Sequence, residues 1–168
     1  LLTDAAVADA AATDATAVLV TDVLVIGGGP AGAAAAITLR RAGRQVLIVD
    51  KASFPRDKCC GDGLTTLALR ELEPLGLLPQ HVPSWQTVDA AWLRSPSGRE
   101  VCLPMPADGI FAATTPRREL DSALLQLAID AGADVRQGHA LAGISQHVDH
   151  VEASVQGLGT VHARYVIA

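Results

Sequence analysis

The hydrophobic positions of this chain change period several times, and each change marks an expected element. Val23 to Ile26, within "DVLVI", form an unbroken apolar run of the kind a strand covered on both faces shows. The pattern then turns helical from about Pro30 to Arg41, with Gly43 as a C-terminal stop, and Gln45 to Val49, "QVLIV", is a second buried strand. So short a strand–helix–strand unit demands a right-handed crossover and a parallel sheet. Leucines at 64, 67, 69, 72 and 75, interleaved with charges, predict a short amphipathic helix broken by Pro74. Residues 85 to 103 read as two strands joined by a turn at Ser95, Pro96, Ser97 and Gly98. A second clear helix carries Leu120, Leu124, Leu127 and Ala128 at helical spacing and ends at Ala131 and Gly132. Beyond it short strands alternate with polar turns, and no internal repeat is visible. The expected fold class is α/β, with a parallel sheet, helices on one face, and an antiparallel meander. That meander is placed near residues 85 to 103, on the other side of the sheet or leading into a substrate region.

Composition narrows the class. A chain of 168 residues, 49% apolar, is long enough to bury one core. Aromatic residues make up only 3%, while alanine and glycine abound, which favours tight helix-to-sheet packing over a core of large rings. The net charge of −5 supplies no basic footprint for nucleic acid. Three cysteines without a signal-peptide pattern point to a reducing compartment, the cytoplasm. No apolar run approaches the roughly 20 residues needed to cross a bilayer. Residues 1 to 20, rich in Ala, Asp and Thr, read as a flexible leader ahead of one domain over 21 to 168. The start at Leu1 and the stop at "ARYVIA" suggest an incomplete chain.

Chemistry first enters at Gly27-Gly28-Gly29-Pro30-Ala31-Gly32, which satisfies G-x-G-x-x-G directly after a strand and at the start of a helix. Gly27 permits the tight turn, Gly29 lets backbone approach a pyrophosphate, and Gly32 permits close helix-to-strand packing. The free N–H groups and the helix dipole attract phosphate charge. Asp50, at the end of the second strand, can accept hydrogen bonds from a ribose diol and repels a 2′-phosphate, so the bound adenosine is that of FAD or NAD and not of NADP.

The next segment, "FPRDKCCGDGL", does not fit a metal site. Cys59 and Cys60 are neighbours with no second pair downstream, and His139, His147, His150 and His162 are scattered through strand-like segments as surface groups, so no metal is expected. Adjacent cysteines would close a strained ring, and a redox pair of the thioredoxin type needs Cys-x-x-Cys. Cys59 and Cys102 are expected to be core or half-buried packing residues.

Taken together, "DVLVIGGGPAGAAAAITLRRAGRQVLIVDK" and "FPRDKCCGDGL" resemble the N-terminal part of the geranylgeranyl reductase family of FAD-dependent oxidoreductases. That family shares its flavin-binding, Rossmann-like fold with p-hydroxybenzoate hydroxylase-type monooxygenases and flavin-dependent halogenases. The glycine loop is common to all of them. The narrower pattern is F-P-R-x-K-x-C-G-x-G, matched by Phe54, Pro55, Arg56, Lys58, Cys60, Gly61 and Gly63, and its wording is most similar to the menaquinone reductases. A third match is R-x-x-L-D-x-x-L, with Arg117, Leu120, Asp121 and Leu124 in place. The resemblance covers roughly residues 21 to 168.

It implies FAD as cofactor, held by Gly27, Gly29, Pro30, Ala31, Gly32, Asp50, Lys51 and Arg117, with Cys60 and Gly61 beside the isoalloxazine ring. Cys60 there touches the flavin or the substrate cavity, and no catalytic residue is assigned beyond that. Arg56 and Lys58 meet phosphate or simply cover the surface. The implied activity is reduction of isolated double bonds in an isoprenoid chain: a geranylgeranyl ester, an archaeal-type membrane lipid, or the side chain of menaquinone. Such a substrate suits peripheral membrane contact. The alternatives are an FAD-dependent monooxygenase or halogenase, and a truncated fragment that binds nucleotide without catalysis. The family's A-D-G and Gly-Asp segments and its substrate domain find no match here, so the fragment is expected to be inactive alone. A plain NAD-dependent dehydrogenase fits poorly, because residues 51 to 103 do not continue as alternating strand–helix units.

Overall fold

The computed structural model describes residues 18–60 and 62–168. Strand β1 (Leu19–Ile26) runs into helix α1 (Pro30–Arg41) and returns as β2 (Val46–Asp50), all five residues of which are buried. Val23 to Ile26 and Val46 to Val49 are apolar without a break, so these strands can lie centrally in a sheet covered on two faces. A loop leads to the short β3 (Gly63–Leu64) and to α2 (Thr66–Leu72). Thr65 caps α2, its hydroxyl accepting from the Ala68 N–H at 3.3 Å, and the helix ends before Pro74. The two-residue strand β7 (Ala113–Thr114) pairs with β3 on one side and with β4 (Gln86–Thr87) on the other, and β5 (Ala90–Arg94) and β6 (Glu100–Pro104) form a separate ribbon. Helix α3 (Arg117–Asp130) follows, then β8 (Asp134–Gln137), β9 (Leu141–Gln146), β10 (Val151–Val155) and β11 (Gly159–Ile167).

The main sheet has six strands in the order β8-β2-β1-β11-β10-β9. Its first four strands are mutually parallel, and β10 and β9 continue it antiparallel. Helices α1 and α3 cover one face through Ala36, Ile37, Leu125 and Ala128, packed on Val23, Val25, Val46 and Ile48. The other face buries Leu24, Leu47 and Val49 together with Ala153, Val155, Val161 and Ala163 from β10 and β11. Small residues on α1 and α3 allow the close packing that the composition implied.

Two expectations are corrected here. The antiparallel meander is β9–β10–β11, which extends the main sheet itself, and is not formed near residues 85 to 103; those form the expected hairpin as a separate ribbon that packs on little, with Trp92 69% and Leu103 48% exposed. Cys102 lies in that ribbon and is therefore exposed instead of packed, and Cys59 is exposed as well. Of the leader expected over 1 to 20, residues 1 to 17 lie outside the described residues, while Leu19 and Val20 already belong to β1. Among the described residues no helix is long and apolar enough to cross a membrane.

Candidate functional site

The parallel strands deliver their C-terminal ends, and with them Gly27 and Asp50, to one edge of the sheet. Gly27 adopts φ +105°, a left-handed conformation that side chains resist, and its N–H donates to the Val49 carbonyl at 2.8 Å. Gly32 faces back onto this turn, and a Cβ there would fall 1.9 Å from the Gly27 oxygen. Only glycine lets α1 start so close to β1. No side chain caps α1 and no acidic residue sits in its first turn, which leaves the positive end of the helix for an anion.

Asp50 is buried and fixed at both oxygens. Its Oδ2 accepts the Gly28 N–H at 2.8 Å and its Oδ1 accepts the Ala52 N–H at 2.8 Å. The carboxylate thus ties the glycine loop to the end of β2, and each oxygen retains a lone pair for a further donor. It lines a cavity of about 670 Å³ together with Gly27, Lys51, Arg56, Lys58 and His139. Lys51, expected to hold the cofactor, and Lys58, expected to meet phosphate or cover the surface, both line this cavity.

The loop after β2 folds back over the glycine turn. Phe54 packs on the helix-side core, its N–H donating to Gln137 Oε1 at 2.6 Å, and the Arg56 guanidinium lies 4.8 Å above its ring. Arg56 Nη2 would stand 3.2 Å from a Cβ on Gly29, so a guanidinium lies against the turn that opens α1. Arg56 is held there by Asp121, at 3.4 Å.

Asp121 is the residue whose importance the sequence reading understated. It is wholly buried on α3 and receives two parallel hydrogen bonds from Arg117, Nε to Oδ1 at 2.7 Å and Nη2 to Oδ2 at 3.0 Å. The Arg117 guanidinium is held above its ordinary pKa first by this bond to Asp121, against the opposing effect of burial, and further by a bond to Cys60. One buried anion therefore orients two cations, leaving a net positive charge beside the uncapped helix. The signal was present in the sequence: Asp121 shares the helical face of Leu120, Leu124, Leu125 and Ala128, where a charge needs a partner, and Arg117 stands four residues earlier.

Asp62, at φ +52°, joins the cysteine loop to the start of α3, its carbonyl accepting the Thr115 N–H at 2.9 Å and its Oδ1 the Arg117 N–H at 3.3 Å. Cys60 and Arg117 then line a second cavity of about 690 Å³ with Pro30, Ala31, Leu64 and Leu72, between α1 and α2 and largely apolar. The structure thus brings Gly27, Gly29, Pro30, Ala31, Gly32, Asp50, Lys51, Cys60 and Arg117 to one sheet edge. Gly61 lies outside the described residues. The glycine cradle, the doubly anchored carboxylate and the paired guanidiniums fit a dinucleotide with its diphosphate at the start of α1.

The histidines are not scattered as expected. His147, His150 and His162 lie ring against ring on the meander, because strand register gathers positions that are far apart in sequence.

Comparison with known proteins agrees with this geometry. A family profile described as FAD binding domain matches residues 20–168. A Mycolicibacterium smegmatis protein named menaquinone reductase is 45% identical over 121 residues, which is 69% of this chain and 28% of that protein. Digeranylgeranylglycerophospholipid reductase 2 of Methanopyrus kandleri is 34% identical over 151 residues, covering 87% of this chain and 36% of its own length. The chain spans about a third of these relatives. Among solved structures, a geranylgeranyl bacteriochlorophyll reductase-like protein from Thermoplasma acidophilum overlays with a TM-score of 0.74 at 26% identity, over 89% of this chain and 39% of that one. The halogenase PltM in complex with phloroglucinol and FAD overlays at 0.69 and 27%, over 87% and 33%.

Proposed function

The chain belongs to the FAD binding domain family, and on that premise we propose that it supplies the adenosine and diphosphate side of the FAD site in an oxidoreductase that reduces double bonds of an isoprenoid chain. The observation that carries the cofactor part is the pair Gly29 and Arg56 at the uncapped start of α1, backed by Asp121. The relatives named for reduction of menaquinone and of a geranylgeranyl lipid support the substrate class.

In this reading each residue acts on a different part of the cofactor. The glycine loop and the first turn of α1 bind the diphosphate through backbone N–H groups. Arg56 and Arg117 neutralise its charge, and Asp121 fixes their positions before binding, so that little ordering is left to be done when the cofactor arrives. Asp50 accepts from the ribose diol, and Lys51 and Lys58 border the adenosine cavity. Cys60, tied to Arg117, stands where the diphosphate region passes into the apolar cavity between α1 and α2. When bound, reduced FAD supplies the hydride equivalent that an isolated alkene requires. An apolar substrate of this kind resides in the bilayer, so the protein works from the cytoplasm in peripheral contact with a membrane.

The test is product analysis with the full-length protein, its flavin reduced anaerobically, incubated with menaquinone carrying an unsaturated side chain. Gain of two hydrogen atoms by the side chain supports the reading. Gain of oxygen or halogen by an aromatic substrate under air, with no saturation of the isoprenoid, would assign the chemistry of monooxygenases or halogenases instead.

A further inference from the structure

We infer that the outward face of the β9–β10–β11 meander carries a binding site for a divalent first-row transition-metal ion of the zinc type, built by His147, His150 and Glu152 with His162 in the fourth position. No step of the flavin reading depends on it.

Strand register creates the cluster. In the meander Ala153, Val155, Val161 and Ala163 point into the core, so the intervening positions point outward. Glu152 stands directly opposite His162 across the β10–β11 pair. The turn between β9 and β10 is closed by the His147 N–H donating to the His150 carbonyl at 2.8 Å, which sets these two side chains beside each other. Residues distant in sequence thus meet on one surface.

The four side chains lie within reach of one another. The coordinating atoms of His147, His150 and Glu152 all lie within 4.8 Å of one another. The rings of His147 and His150 stack at 4.6 Å with 10° between their planes, and His162 is 4.6 Å from His150. His162 Nε2 is 3.4 Å from Glu152 Oε2. Tetrahedral zinc with bonds of about 2.1 Å sets its ligands roughly 3.4 Å apart, so small rotations of the exposed His147 and of the half-buried His150, Glu152 and His162 close the site. Three imidazoles and a carboxylate are a donor set suited to zinc, nickel or copper and unsuited to calcium or magnesium.

A second observation concerns orientation. His150 Nδ1 is engaged with Asp149 Oδ1 at 2.8 Å, which leaves Nε2 as the nitrogen to coordinate. A carboxylate on the far nitrogen of a metal-bound histidine is the usual supporting contact for such ligands. Arg164, on the same face beside His150, opposes a cation, and the two carboxylates outweigh it in charge.

The experiment uses the untagged full chain, stripped with chelator and titrated with Zn²⁺ by calorimetry and with Co²⁺ by visible absorption. One saturable equivalent is expected, with a cobalt spectrum free of thiolate charge transfer. His147→Gln and His150→Gln should each weaken binding more than tenfold, and Asp149→Asn about tenfold. Cys59→Ser should leave affinity unchanged, and melting temperatures without metal show that all variants are folded. The inference is overturned if no saturable binding occurs, or if binding survives both histidine substitutions.

Discussion

Arg117 and Asp121 form a bidentate pair on the first turns of α3, at 2.7 and 3.0 Å, with the Asp121 side chain wholly buried and that of Arg117 17% exposed. Because Arg56 reaches the same carboxylate at 3.4 Å, the helix and the cysteine loop are joined through one anion. Removing it leaves two cations facing each other at the edge of the core.

Asp121→Asn therefore destabilises the chain by about 3 kcal/mol, the lower end for a broken buried ion pair because both arginines keep some solvent contact. FAD affinity falls at least about tenfold as the guanidiniums lose their fixed positions. Urea unfolding and flavin titration of the same variant measure the two effects.

Gly32→Ala places a methyl group 1.9 Å from the Gly27 oxygen, a backbone atom that cannot step aside without opening the turn. The cost reaches the upper end of the roughly 1–3 kcal/mol typical of overpacking, and FAD binding is lost while far-UV circular dichroism is retained. Gly143→Ala is the control: nothing lies within 4 Å of its added Cβ, and stability stays within about 0.5 kcal/mol.

Glu119 gives the chain an acid-sensitive contact. Its carboxylate accepts the Ser84 N–H at 2.7 Å and the Ser84 hydroxyl at 2.9 Å, and these bonds, the backbone one foremost, hold its pKa below the ordinary value. A depressed folded-state pKa means that the stabilisation is present above the unfolded value, about 4.3 for glutamate, and is lost as pH falls through the folded one. Thermal melts from neutral pH downward should show Glu119→Gln less stable than the parent at neutral pH, with the difference closing in acid.

The dinucleotide unit was legible because everything that specifies it is local: the apolar runs of β1 and β2, the glycines between them, and Asp50 at the strand end. The stop before Pro74 and the apolar stripe of α3 were legible for the same reason. Strand partners were not. Which strands extend the parallel sheet as its antiparallel half depends on pairing β11 with β1, a contact across most of the chain, and local alternation placed the meander near 85 to 103 instead. The histidines at 147, 150 and 162 looked isolated until the β10–β11 pairing set Glu152 against His162. Cys102 was expected to pack because it sits in a strand-like run, yet the β5–β6 ribbon has no sheet to lie on. Asp121 lay between these cases, marked by its place on an apolar helix face with Arg117 four residues before it, but given its second partner, Arg56, only by the fold.

The central claim is that the glycine loop, Asp50 and the Arg56–Asp121–Arg117 group form an FAD site. The measurement that tests it most directly is titration of the purified, flavin-free chain with FAD and, separately, with NAD, followed by visible absorption and calorimetry. One saturable equivalent of FAD, abolished by Gly32→Ala and weakened by Asp121→Asn, with NAD bound weakly or not at all, is the predicted result. A folded chain that takes up NAD in preference to FAD, or whose FAD binding ignores both substitutions, would contradict it.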